Sequence, residues 1–159
     1  MAEILIIGYG NVTRSDDAVG CCAAQQLAEH FRNDPEVEVV TAQQLTPEMA
    51  DNISQCEFVV FLDASYGEEP GLIQRKNVLP HAAPSGFTHS FTPCVLLSAA
   101  QQLYGGAPEA IGITLAGWSF EIGNELSSGA RQRLPELVRI AQQAVESYRA
   151  GSPVRIAKD

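Results

Sequence analysis

Cationic side chains are scarce in this sequence: ten Lys and Arg stand against nineteen Asp and Glu in 159 residues, a net charge of −9. A field of that sign repels phosphate backbones and anionic lipid, so neither nucleic acid nor a membrane surface is an expected partner. No apolar run approaches the ~18 residues that would cross a bilayer. The amino-terminal stretch MAEILIIGYG has no basic region and no small-residue cleavage site, which makes the cytoplasm the expected location. The four cysteines, Cys21, Cys22, Cys56 and Cys94, form no CxxC pair. The usual zinc and redox spacings are therefore missing, and reduced, buried thiols are expected. The dinucleotide fingerprint is incomplete as well. After the apolar run ILII comes GYGNVTRSDDAVG, with threonine at position 13 where a third glycine belongs and Asp16 and Asp17 where pyrophosphate would sit. A Walker lysine is also absent.

What remains is an alternation of strand-like and helix-like segments. ILIIGYG, VEVVTAQQL, FVVFLDA and AIGITLAGW read as strands, and GLIQRKNV as a further one. Between them, apolar residues recur at spacings of three and four. Val19, Cys22, Ala23, Leu27 and Phe31 mark a first helix with its N-cap at Ser15 or Asp16. TPEMADNISQC marks a second, with Thr46 as cap and Pro47 at the first helical position. Pro93 to Tyr104 is a third, with Leu96, Leu97, Ala100 and Leu103 inward and Gly105 as its stop. RLPELVRIAQQAVESYR is the last, with Pro135 implying a kink or a start nearby. Parallel strands need crossover helices, so the expected fold is α/β, a three-layer sandwich with a mostly parallel sheet flanked by helices. Residues 1–159 are expected to form a single domain, with a loose tail at 151–159.

Ligands of such sheets bind beyond the carboxyl ends of the strands. Gly8, Gly10, Asn11 and Asp63 all lie at ends of that kind, and Asp16 and Asp17 follow directly. Two adjacent carboxylates at a helix start are each favoured by the helix dipole, yet they repel one another unless water, Arg14 or a cation intervenes. Capping is the plain reading of the pair, as a turn is of Asp63. Their convergence on one rim is harder to explain in that way. His89 precedes the helix that starts near Pro93; with Asp17 and Asp63 it would supply two oxygens and a nitrogen, a three-ligand set with open positions suited to nickel or zinc. A Cys94–His89 dyad is a weaker possibility, Glu121 is most simply a loop carboxylate, and His30 and His81 read as ordinary surface residues.

In order and spacing, GYGNVTRSDDAVG, VVFLDAS, the histidine before PCVLLSAAQQL and GWSFEIGNELS resemble the nickel-iron hydrogenase maturation endopeptidases over about residues 4–145. The resemblance implies removal of a short C-terminal extension from a [NiFe]-hydrogenase large-subunit precursor already loaded with nickel. Nickel would arrive with that precursor, and no cofactor would be needed for folding. By the same resemblance Asp17, Asp63 and His89 contact the metal, Asp16, Asp17 and Asp63 are the catalytic carboxylates, and Gly8, Gly10 and Asn11 form the binding loop. Ala18, Pro93 and the segment around Trp118 depart from the family's pattern. Two readings of other classes compete: a non-catalytic metal- or small-ligand-binding module such as a metallochaperone, and a nucleotide enzyme on a related scaffold.

Overall fold

The computed structural model describes residues 2–82 and 91–151. Five strands, β1 (Ile4–Tyr9), β2 (Val37–Ala42), β3 (Phe58–Ser65), β4 (Ile73–Asn77) and β5 (Glu109–Ala116), form one sheet in the order β2-β1-β3-β5-β4. β2, β1, β3 and β5 are parallel, and β4 runs antiparallel along the edge beside β5. The helices are α1 (Val19–His30), α2 (Met49–Ser54), α3 (Pro93–Tyr104) and α4 (Ser128–Arg149). Together they give the expected three layers.

Side chains alternate across a strand, and this alternation divides the core. Ile4, Ile6, Phe58, Val60, Leu62, Ile111 and Ile113 face α1 and α4. Leu5, Ile7, Val59, Phe61 and Ala110 face α2 and α3. Both sets are buried, which accounts for the near-continuous apolar runs in β1 and β3. α1 leads from β1 outward to β2, whereas α2 leads back across to β3 on the other side of β1. The carboxyl ends of β1 and β3 therefore flank a topological switch point.

Several boundaries differ from those expected. Neither Ser15 nor Asp16 caps α1. Residues Ser15–Ala18 form a 3₁₀ turn, Ser15 has a φ of 51°, and its hydroxyl donates to the carbonyl of Glu121 at 2.7 Å. α2 begins at Met49, with no side-chain cap from Thr46, because residues 46–48 make a turn first. β3 continues to Ser65, so Asp63 lies within a strand that is still paired to β5 but already past the end of its pairing with β1. α4 starts at Ser128, where the Ser127 hydroxyl accepts from the amide of Ala130 at 3.2 Å, and it carries Pro135 in its interior. Leu103 is 69% exposed rather than inward, since the residues that α3 buries, Leu96, Leu97, Ser98 and Ala100, lie earlier in the helix. The start and stop of α3 are as expected: the Thr92 hydroxyl accepts from Val95, Pro93 is at the first helical position, and Gly105 closes it at φ 82°. All four cysteines are free, with Cys21 and Cys56 buried and Cys22 and Cys94 half-buried. The expected tail lies outside the described residues except for Gly151.

Candidate functional site

A cleft of about 440 Å³ opens over the switch point, lined by Tyr9, Gly10, Asp17, Gln43, Asp63 and Phe91 among others. Two carboxylates stand in it. Asp17 comes from the 3₁₀ turn after β1, and the loop geometry that holds it depends on glycine. Gly10 sits at φ 147°, and a Cβ there would lie 2.0 Å from the carbonyl oxygen of Asp17. A Cβ on Gly8 would lie 2.2 Å from the carbonyl oxygen of Gly20, so Gly8 lets α1 close onto β1. Asn11 then donates its backbone N–H to Asp17 Oδ2 at 2.7 Å, while its own Oδ1 accepts from the amide and hydroxyl of Thr13. The Tyr66 hydroxyl donates to Asp17 Oδ1 at 3.1 Å, with its ring tilted by 30° against that of Phe120 at a centroid distance of 3.9 Å. The glycine loop is shaped to hold a carboxylate.

Asp63 shares the odd register of Val59 and Phe61 and so projects to the α2/α3 side of the sheet, as Tyr9 does. Its Oδ1 accepts from the Ala64 amide at 2.8 Å. Burial pushes its carboxyl up to about 7; the Ala64 amide works against this, Asp17 adds to it, and a hydrogen bond with Tyr9 again opposes it. Burial and the neighbouring Asp63 push the Tyr9 phenol well above its ordinary range. Two acidic groups thus share a partly desolvated cleft, and Asp63 exchanges its proton around neutral pH.

Asp16 points elsewhere. It is fully buried, and its oxygens accept from the amides of Trp118 (2.8 Å), Ser119 (3.1 Å) and Ser127 (2.8 Å) and from the Ser127 hydroxyl (2.7 Å). Burial raises its carboxyl, but these bonds outweigh burial and lower it overall. Asp16 and Asp17 are therefore turned apart, and the repulsion expected between adjacent carboxylates is relieved by the hydrogen bonds of Asp16. Asp16 ties the 3₁₀ turn to the loop between β5 and α4, together with Ser15 N–H to the Gly123 carbonyl and Gly123 N–H to the Thr13 carbonyl. In this geometry Asp16 is a scaffold residue, removed from the cleft by its own hydrogen bonds.

His89 lies outside the described residues, which resume at Phe91 on the cleft wall. Among the described residues, no three His, Cys, Asp or Glu side chains are grouped to hold one ion. Asp17 and Asp63 are brought together, and Glu121 is an exposed loop residue. His30 ends α1 and His81 is exposed. The residues missed from sequence are Tyr9, Tyr66, Gln43 and Phe91. Gln43 had a signal, because it directly follows the carboxyl end of β2. Tyr9 had the same one, as it closes β1 between Gly8 and Gly10, but Tyr66 had none, as nothing local connects it to a turn 49 positions earlier.

A mostly parallel α/β sheet with a paired-carboxylate cleft at its switch point defines the class, and this fold is the one found in hydrogenase maturation proteases. The [NiFe] hydrogenase maturation protease HycI from Thermococcus kodakarensis KOD1 matches with a TM-score of 0.71 at 23% identity, over 89% of this chain and 91% of that one. The hydrogenase maturating endopeptidase HybD from E. coli matches at 0.70 and 18%, over 95% and 94% of the two chains. A hydrogenase 2 maturation peptidase from Thaumarchaeota archaeon SCGC_AB-539-E09 matches at 0.69 and 20%, over 91% and 98%. At these identities the common property is the fold. No family model matches the sequence, and no curated protein does either.

Proposed function

We propose that this protein is an endopeptidase that removes the C-terminal extension of a [NiFe]-hydrogenase large-subunit precursor whose nickel is already in place. The observation that carries the reading is the pairing of Asp17 and Asp63 in one cleft at the switch point. The fold, which solved maturation proteases have, supports it. Asp17, Asp63 and His89 would clamp the precursor's nickel, and the ion belongs to the substrate. Without it, Asp63 gives up its proton only against burial and the neighbouring Asp17, so a bound cation relieves a cost already built into the fold. Clamping fixes the scissile bond beside the carboxylates. One carboxylate takes a proton from the attacking water and delivers it to the leaving amide nitrogen. Recognition then doubles as a check that nickel has been inserted.

The test is to incubate the protein with nickel-loaded and nickel-free precursor and follow the mass of the large subunit. Shortening of the loaded form alone is expected, and it is lost in Asp17→Ala and His89→Ala while both variants keep the wild-type circular dichroism. Equal processing of both forms, or full processing by either variant, refutes the assignment. Tight metal binding by the isolated protein with no shortening would favour the metal-binding module instead.

A further inference from the structure

A second hollow adjoins the cleft. It measures about 400 Å³ and is lined by Asn11, Val12, Thr13, Gln25, Thr41 and Gln43, with Gly10 and Gln43 common to both hollows. The two meet at those residues, on a line from Asp63 over the end of β1 to the outer edge of β2. Their chemistry differs sharply. The cleft holds Asp17 and Asp63, whereas no described residue lining the second hollow is charged. Amide and hydroxyl groups dominate it, and Val12, 54% exposed, adds an apolar contact.

The backbone beside this hollow is also open. β2 is an edge strand, and among the described residues no strand pairs with its outer side. Glu36 and Ala42 accept through their carbonyls from Ile4 and Gly10 of the β1 segment. By the two-residue alternation of a strand, the even positions of β2 face β1 and the odd positions face outward. The Val37 N–H is occupied by the Asp34 carbonyl, which leaves Val39 and Thr41 with outward N–H and C=O groups. Thr41 is exposed and lines the second hollow. An uncharged, amide-rich hollow beside a strand edge has the chemistry to pair with main chain, since extended peptides add to such edges through backbone hydrogen bonds.

We infer that the outer edge of β2 and the second hollow are a subsite for an extended, uncharged peptide segment that pairs with Thr41 and Val39 and then crosses Gly10 into the acidic cleft. Resting on the endopeptidase reading, this identifies the occupant as the chain flanking the scissile bond. The peptide would be gripped through its backbone at β2 and through its cation at Asp17 and Asp63.

The experiment uses a fluorescein-labelled synthetic peptide that reproduces the C-terminal segment of the host's large-subunit precursor, with binding read by fluorescence anisotropy. The subsite predicts slowed amide exchange at Val39 and Thr41 on binding. It also predicts about a tenfold loss of affinity in Thr41→Pro, which removes the outward donor at an edge position that tolerates proline. Methylating the peptide's backbone nitrogens one at a time gives a readout in which the protein is unaltered. A comparable loss at alternate positions supports the subsite, and uniform tolerance overturns it. No binding, or binding that leaves Val39 and Thr41 exchange unchanged, also overturns it. Cleavage of the whole precursor, measured in parallel, judges the endopeptidase reading separately: processing without any strand-edge effect removes only the subsite.

Discussion

Asp16→Ala is expected to cost about 3–5 kcal/mol of stability, although Asp16 is adjacent to the cleft residue Asp17. Its carboxylate accepts four hydrogen bonds and is fully buried. The Ser127 hydroxyl can rotate away and still serve Ala130, but the amides of Trp118, Ser119 and Ser127 are fixed by the backbone. Each buried donor left without a partner costs about 1–3 kcal/mol, and water reaching the half-buried Ser127 keeps the total below the upper sum. Asp16→Asn retains one acceptor oxygen and should cost about 2 kcal/mol, so the order wild type, Asn, Ala is part of the prediction. Guanidinium denaturation supplies the assay. Trp118, the protein's single tryptophan, is held through its own amide by Asp16, so its fluorescence reports the loop while far-ultraviolet circular dichroism reports the helices. Both transitions should move to lower denaturant, with the fluorescence change first. Asp16→Ala within about 1 kcal/mol of wild type would refute the scaffold role. A fully stable Asp16→Ala protein without proteolytic activity would put Asp16 in the reaction itself.

Three further outcomes follow from the same structure. Asp63 titrates at about 7 in the fold against 3.8 as its reference, so the folded state binds more protons between these values. Its contribution to stability is present below pH 4 and is lost as pH rises to 7, at up to about 1.4 kcal/mol per unit. Asp63→Asn should abolish that decline in thermal scans from pH 4 to 8; an unchanged slope rejects the burial argument. Gly10→Ala should destabilise by more than about 2 kcal/mol, because the new Cβ would lie 2.0 Å from the Asp17 carbonyl at a backbone angle suited to glycine. Wild-type stability in urea would show that the loop is looser than described. Pro135→Ala should stabilise α4 by about 1–3 kcal/mol by restoring a helical N–H and relieving the ring's crowding. A lower melting temperature would mean that the proline is needed for packing.

The layering was legible from sequence because each segment carries its own period. Val19, Ala23 and Leu27 repeat as a helix face, and ILII and FVVFL are apolar throughout because both of their faces are covered. Thr92, Pro93 and Gly105 bracket α3 by chemistry confined to a few bonds. The start of α1 was misread for the opposite reason. Ser15 and Asp16 have the composition of caps, but their side chains engage Glu121 and Ser127, more than a hundred positions away.

The sequence alone determined that strands and helices alternate, that glycines follow the first strand, and that carboxylates follow both β1 and the core of β3. Local propensity and periodicity require nothing beyond neighbouring residues, so they are written in the chain. Long-range packing separates Asp16 from Asp17, burying one under four hydrogen bonds and turning the other to the cleft. It also decided that strand register places Asp63 and Tyr9 on the α3 side, and that β2 is the edge of the sheet among the described residues. These are matters of which distant groups meet, and that is settled by packing a whole sheet between two helix layers.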